Sequence, residues 1–525
     1  MKTLAAAAIA MSILCLSTFL ALSSQTRALS PKPPVSEWSK TYGGPYEDLA
    51  SSLVQTNDGG YALAGRTYSS PSAGYMDAWL VKVDSAGNPQ WTRSYGGSQD
   101  DAAYSLVQTT DGGYAMAGYT GSFGAGYNDV WLVKTDTNGI MLWSQAYGGS
   151  DLDEGRCLIQ TNDGGYALAG FTDSYGAGGH DVYLVKTDAD GNMQWNRTYG
   201  GANDDVAWAI VQTDDGGYTL AGYKDSINSA QGDFWLIKTD TDGNMIWNKT
   251  YGGAGSDHAY SLVKTPEGGY ILAGWTDSFG AGSRDSWLVK TDVDGYMQWN
   301  KTYGGPNADW TNSIVITDDG GYALAGATGP SIDGNADFWL VKTDSSGNME
   351  WDKTFGRAED DDEAYCVVQT SDEGYALAGR TYPFDERVHS DALLVKLVSL
   401  NVPVMLEINP DTLNLGSRGK WITCYVELPV GYDVKSIEVS SIFVNNTIRV
   451  DQSAPMSIGD FDNDEMPDLM VKFDRSQVIN YVLAQVPNSA RFMAITLTVT
   501  GYLNDGTAFR GSDTIEVIFS KPIAK

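Results

Sequence analysis

The chain has 525 residues, enough for two or more domains. It carries 66 acidic against 34 basic side chains, a formal net charge of -32. Nucleic acid and anionic membrane surfaces are repelled by such a chain, so neither is expected as a partner; a solvated, saline or extracellular setting suits it.

Residues 1–28 read as an export signal. Lys2 supplies the positive charge, "LAAAAIAMSILCLSTFLAL" the apolar run, and "TRA" ahead of Leu29 a cleavage site. An uncleaved anchor is the competing reading, since the run is nearly long enough to span a bilayer. No later segment is apolar enough to do so, and the expected location is secreted or cell surface. Beyond the signal only Cys157, Cys366 and Cys424 remain, so no disulfide framework is expected. Cys157 and Cys366 occupy a repeat position held elsewhere by Ser or Ala and read as small core residues.

From Glu37 the chain repeats. Trp38, Trp91, Trp143, Trp195, Trp247, Trp299 and Trp351 recur every 52 residues, once 53. "DGGYALAG", from Asp58 to Gly65, returns with small changes at Asp111, Asp163, Asp215, Glu267, Asp319 and Asp372. One period reads as four strands: "AYSLVQT", "YAMAGYT", "VWLVKTD" and "LWSQAYGG", joined by Asp-Gly and Asn-Gly turns. Strands apolar on both faces must be covered on both faces. The first strand of the array, "EWSKTYGG" at Glu37–Gly44, is a lone fourth strand. The seventh repeat stops after its third, "DALLVKL" at Asp391–Leu397. The two ends complement each other. The chain is therefore expected to be all-β: a seven-bladed β-propeller over 37–397 closed by the N-terminal strand. Over 398–525 the repeat is lost, and short strands such as "KWITCYVELP" and "AITLTVTGYL" predict a β-sandwich.

The pattern "DGGYALAG … DxWLVKTDxxGNxxWxKTYGG" resembles the secreted β-propeller repeats of bacterial and archaeal surface proteins. The resemblance implies the fold and a place at the cell surface. "INPDTLNL" and "GDFDNDEMPDLMVKFDR" resemble the calcium-loop sandwich modules appended to archaeal extracellular proteins.

Two rings of Asp recur, one before each first strand (Asp48, Asp101, Asp153 and so on) and one before each third strand (Asp77, Asp129, Asp181 and so on). Identical residues in every repeat are expected to serve the scaffold by accepting loop N–H groups. Positions that vary carry more information about a ligand. Near the start of the first strands they include Tyr104, Glu154, Arg156, Trp208, His258, Tyr260 and Trp310. With the first strands innermost, these side chains lie at the mouth of the central channel. There they suit a sugar or peptide by stacking and hydrogen bonding, or they fill gaps between blades.

The last motif is "DFDNDEMPD". Asp460, Asp462 and Asp464 match positions 1, 3 and 5 of a calcium loop, the carbonyl of Met466 position 7 and Asp468 position 9. Glu465 replaces the usual glycine, and Val471 stands where a bidentate Glu closes a helix–loop–helix site. A structural Ca²⁺ is expected, with a solvated acidic turn as the alternative. No HExxH, GxSxG or phosphate-cradling loop is present, and His180, His258 and His389 occupy different repeat positions. The sequence points to an exported, non-catalytic binding or scaffold protein with an extracellular carbohydrate or protein ligand. A secreted lyase or hydrolase acting on carbohydrate, and a multivalent lectin, are the alternatives.

Overall fold

The computed structural model describes residues 33–69, 75–225, 231–329, 336–356, 360–382, 389–398, 402–415, 417, 419–445, 447–484, 492–505 and 507–518. The export signal expected over 1–28 lies outside them. The chain divides into two compact units, 33–399 and 400–525, the second also taking in the undescribed residues before 33.

Among the described residues of the first unit are seven four-stranded antiparallel sheets. Six follow the chain directly. The third repeat, for example, runs Asp153–Gln160, Tyr166–Thr172, Asp181–Thr187 and Met193–Tyr199, in that spatial order. The remaining sheet joins the two ends of the array. Val35–Tyr42 pairs antiparallel with Asp391–Val398, with Trp38 opposite Lys396 and Thr41 opposite Leu393.

Each sheet packs on the next, and a separate apolar cluster fills each of the seven junctions. The junction between the last sheet and the first is built like the others. Ala50, Leu53, Tyr61 and Leu63 of the first sheet meet Tyr42, Ala376, Ala378 and Leu394 of the last. A hydrogen bond that recurs between neighbours also crosses it. Asn57 N donates to Gln108 Oε1 at 3.0 Å, and at the closing junction Ser371 N donates to Gln55 Oε1 at 2.9 Å. The ring is closed. The first strands line its axis, where Leu106 N donates to Ser52 Oγ at 3.1 Å and Val367 N to Ser313 Oγ at 3.2 Å.

The repeated motif now has a physical account, shown here for Asp111–Gly118. The Asp111 carboxylate accepts from Thr109 Oγ1 at 2.5 Å and Gly113 N at 3.0 Å, and pairs with Lys134 at 2.9 Å. Partial burial opposes its ionisation, but the Thr109 hydroxyl, the Lys134 ammonium and the Gly113 N–H outweigh it and hold the Asp111 carboxyl down at about 2. Lys134 is thereby buried with its charge compensated, and it also donates to Thr135 O at 2.8 Å. Tyr114 meets Trp91 of the preceding sheet edge-on, ring centroids 5.8 Å apart. Ala115 and Ala117 are fully buried and let the next sheet approach. Each repeat carries the motif because each builds the same junction.

Both Asp rings serve the loops. Asp101 Oδ2 accepts from Gly97 N at 2.8 Å and Ser122 Oγ at 2.6 Å. Asp129 Oδ2 accepts from Ala125 N at 2.8 Å and Gly126 N at 3.1 Å. Cys157, Cys366 and Cys424 are free.

The second unit holds two sheets. One orders Val402–Pro403, Ala508–Ile518, Phe492–Leu503, Ile437–Val444 and Ile448–Arg449, with Thr412–Asn414 also pairing Ala508–Ile518. The other orders Met405–Asn409, Trp421–Glu427, Asp468–Asp474 and Ser457–Gly459. One apolar cluster, including Val426, Ile442, Val471, Leu497 and Val517, joins them. The expectation of strands throughout fails at Arg475–Ala484, which is an α-helix. Asp474 Oδ1 accepts from Ser476 N at 2.9 Å and Gln477 N at 3.1 Å, a side-chain cap that starts the helix. Val478 and Val482, one turn apart, are its buried face. Among the described residues no helix is long and apolar enough to cross a membrane.

Candidate functional site

Every first strand of the ring breaks register at the same place. The break follows Ala50, Ala103, Gly155, Ala207, Ala259, Thr311 and Ala364. The extra residues are Ser51, Tyr104, Arg156, Trp208, Tyr260, Asn312 and Tyr365, which are the varying positions of the sequence. A bulge residue has no ladder partner, and its side chain is re-aimed. The bulge thus turns one side chain per sheet out of the repeated packing, which is why its identity is free to vary.

On one side of the mouth these side chains stack across successive sheets. The Arg156 guanidinium lies 4.3 Å from the Tyr104 ring and 4.6 Å from the Trp208 ring. Trp208 meets Tyr260 edge-on at 5.0 Å. Glu154, buried, pairs with Arg156 at 2.5 Å. Burial raises the Tyr104 hydroxyl pKa, and the Arg156 charge opposes that rise. Such cation–π contacts between half-buried groups are worth about 1–2 kcal/mol each.

On the other side Glu363 is a hub. It accepts from Trp310 Nε1 at 2.9 Å, Asn312 Nδ2 at 3.2 Å, Tyr365 OH at 2.8 Å and Arg380 Nη2 at 3.1 Å. His258 is stacked between Tyr223 at 3.9 Å and Trp275 at 4.4 Å, and Trp275 in turn hydrogen-bonds Tyr260 of the first group. Burial, helped by the Arg284 charge, lowers the His258 pKa to about 4, so the imidazole is neutral near pH 7. The structure therefore links Tyr104, Glu154, Arg156, Trp208 and Tyr260 in one chain of contacts. It places Trp310 in a second group and joins His258 to the first through Trp275.

A further set of mouth residues escaped the sequence reading. Arg66, Tyr119, Phe171, Tyr223, Trp275, Ala327 and Arg380 lie opposite Leu49, Ala102, Glu154, Val206, His258, Trp310 and Glu363 on the second strands. Each follows the glycine of "YALAG", and its variation beside that near-invariant stretch was the available signal. Two of the pairs compensate in size: Tyr119 faces Ala102, and Ala327 faces Trp310. The loops after the second strands gather at this same end. Gly121 N bonds Asp100 O, and Asp101 N bonds Met76 O, tying them to the segments before the first strands. They expose aromatic rings, among them Phe123, Tyr127, Tyr175 and Phe279.

In the second unit the acidic loop folds back on itself. Phe461 N donates to Asp468 Oδ2 at 2.9 Å, Asp464 N to Asp460 Oδ1 at 3.1 Å, and Met466 N to Asp464 Oδ1 at 2.7 Å. Glu465 has φ 75°, the left-handed conformation that a glycine supplies in such loops. Oxygens of Asp460, Asp462 and Asp468 lie within 4.8 Å of one another, and so do those of Glu427, Asp462 and Asp464. Glu427 was absent from the sequence motif. It comes from the neighbouring strand, in register with Asp468. Burial raises its pKa, and the charges of Asp464, Asp468 and Asp462 raise it further. This hard-oxygen set, with two of its carboxylates buried, fits a calcium ion.

No family model matches the chain. The regulatory protein FlaEY of Caulobacter vibrioides is 24% identical over 367 residues, 57% of this chain. The chain spans only 38% of that relative's length. Among solved structures, the β-propeller domain of the trilobed protease from Pyrococcus furiosus is 10% identical, covering 69% of this chain and 94% of that one, with a TM-score of 0.38. PorZ, a surface component of the type-IX secretion system of Porphyromonas gingivalis, is 11% identical, covering 91% and 60%, with a TM-score of 0.41. The polysaccharide lyase Uly1 is 8% identical, covering 68% and 92%, with a TM-score of 0.42. The chain's own four-stranded sheets, each packed on the next around a ring, make it a β-propeller repeat protein.

Proposed function

We propose that the chain is an exported cell-surface binding protein. A seven-bladed propeller presents its channel mouth to an extracellular carbohydrate or protein ligand, a C-terminal β-sandwich serves as spacer or attachment module, and no catalytic step is involved. One observation carries the reading. The residues released from the scaffold code by the bulges all carry aromatic or hydrogen-bonding groups, are large in six sheets of seven, and are partly exposed. Replacing Trp208, Tyr260 and Trp310 together by Ala is the test. Ligands found on a glycan array should lose about 2 kcal/mol or more of binding, while circular dichroism stays that of a folded β protein. Unchanged affinity in a folded triple variant moves the site elsewhere.

A secreted carbohydrate-active lyase or hydrolase is the second reading, favoured by the neutral His258 between Tyr223 and Trp275. Cleavage of any polysaccharide that is lost in His258→Ala would replace the binding reading. The equivalent exposed rings Phe123, Tyr175 and Phe279 favour a multivalent lectin, which would bind several ligands per chain rather than one.

We propose further that Asp460, Asp462, Asp464, the Met466 carbonyl and Asp468 hold a structural Ca²⁺, with Glu427 as an added carboxylate. Affinity on the order of 10⁻⁴ to 10⁻³ M is expected, as for extracellular modules. Millimolar Ca²⁺ should raise a thermal transition of the full-length chain, and Asp462→Ala should abolish the rise. A calorimetric titration showing no uptake at that concentration leaves an acidic turn.

A further inference from the structure

Arginine follows the "YALAG" stretch in only two repeats, as Gly65-Arg66-Thr67 and Gly379-Arg380-Thr381. These are the first and last repeats, at opposite ends of the array. Ring closure makes their sheets neighbours across the junction that holds Tyr61, Leu63, Ala376 and Ala378. In the first sheet the bulge residue is Ser51, the smallest of the seven. The bulge residues of the sheets on either side are Tyr365 and Tyr104. Ring order therefore sets the smallest bulge residue between two tyrosines, a notch in side-chain size, with Arg66 and Arg380 on the second strands of the two sheets that meet there.

The two guanidinium groups share this notch. Arg380 lies 6.0 Å from the Tyr365 ring. Glu47, which pairs with Arg66 at 3.3 Å, also acts on Arg380. Burial raises the Tyr365 hydroxyl pKa, and the charges of both Arg380 and Arg66 act against that rise. Tyr104, on the other wall, feels Arg66 as well. Among the described residues each arginine makes one ion pair, Arg66 with Glu47 and Arg380 with Glu363 at 3.1 Å. The Nε of each is buried without a hydrogen-bond partner among the described residues, as is that of Arg156, so a ligand would meet their terminal nitrogens. Their side chains remain 28% and 33% exposed, against 17% for the stacked Arg156.

We propose that this notch binds a uronic acid residue, its pyranose ring against Tyr104 and Tyr365 and its carboxylate on Arg66 and Arg380. The assignment rests on the reading of the mouth as a binding face. Guanidinium pairs select carboxylates through directed, charge-assisted hydrogen bonds. Tyrosine walls favour the apolar face of a sugar ring over a flexible acidic side chain. The net charge of -32 opposes a long polyanion, so the fitting ligand carries its uronate at the end of a neutral chain.

The test is calorimetric titration of the full chain with a glucuronate-terminated oligosaccharide. The comparison ligands are the same oligosaccharide with its carboxyl reduced to the alcohol, and an Asp/Glu peptide. The uronate should bind at least about tenfold tighter than the reduced sugar. Arg66→Gln should abolish that preference, and Arg66→Lys should restore only part of it. Ser51→Trp keeps both arginines but fills the notch, and large side chains already occupy this bulge in neighbouring sheets. It should abolish uronate binding with an unchanged melting temperature. Equal affinity for the acid and its reduced form overturns the proposal, as does preference for the peptide or full binding in Ser51→Trp. If neutral glycans bind and the Trp208/Tyr260/Trp310 variant loses them, the uronate assignment fails while the binding mouth stands. If no sugar binds at all, the uronate assignment fails and the mouth is left with a protein ligand.

Discussion

Deletion of Val35–Tyr42 should cost the propeller roughly 5 kcal/mol or more and lower its melting temperature by about 10 °C or more. The strand supplies the whole outer ladder of the closing sheet, from Val35 opposite Val398 to Tyr42 opposite Ala392. Trp38 stacks edge-on with Tyr61 of the first sheet at 6.0 Å, and the Tyr42 hydroxyl donates to Gly87 O at 2.9 Å. All of this is lost together, and Asp391–Val398 becomes an unprotected edge rich in Leu and Val, which invites intermolecular pairing. Scanning calorimetry and light scattering are the measurements. A truncated chain with an unchanged transition and no added scattering would mean that the ring closes by other contacts. Trp38→Ala alone removes the packing but keeps the ladder, and its shift should be smaller.

Gly170→Ala, like the same change at the equivalent glycine of each repeat, should be among the most damaging single methyls in the ring. A Cβ at Gly170 would lie 1.8 Å from the carbonyl oxygen of Glu154 and 2.9 Å from its carbon. Backbone cannot yield as a side-chain tip can, so the first two strands of that sheet must part. The expected cost is about 3–5 kcal/mol, at the upper end for overpacking. Because Glu154 immediately precedes the bulge that aims Arg156, ligand binding should fall with stability. Gly164→Ala, in the same motif, is the control. It has φ 83° and open space around it, so it should cost only about 1 kcal/mol of backbone strain. Equal effects of the two substitutions in urea unfolding would contradict this account of the motif.

The repeated architecture was legible because its determinants are local and recur. A buried Tyr-Ala-Leu-Ala strand, a Lys neutralised by the turn Asp, and a Trp resting on the next Gly turn lie within one period of each other, and the same junction is built seven times. The lone fourth strand at one end and the missing one at the other revealed closure for the same reason. The helix at Arg475–Ala484 was less legible. Its β-branched Val478, Ile479 and Val482 favour strands on propensity, and the Asp474 cap decided otherwise.

The sheets, their number of strands and the varying first-strand positions follow from pattern within one repeat and are legible without the fold. Which of those side chains meet is set by the folded ring. The bulge after Ala103, Gly155 or Ala207 aims a residue at the axis, and the ring then sets its neighbours. Arg156 thus lies between Tyr104 and Trp208, and Glu363 gathers Trp310, Asn312 and Arg380. Glu427 joins the acidic loop only through strand register with Asp468. Arg66 and Arg380 come together only because the ends of the array are adjacent once the ring closes. Contacts of this kind are fixed by closure and register, long-range properties that no single repeat encodes.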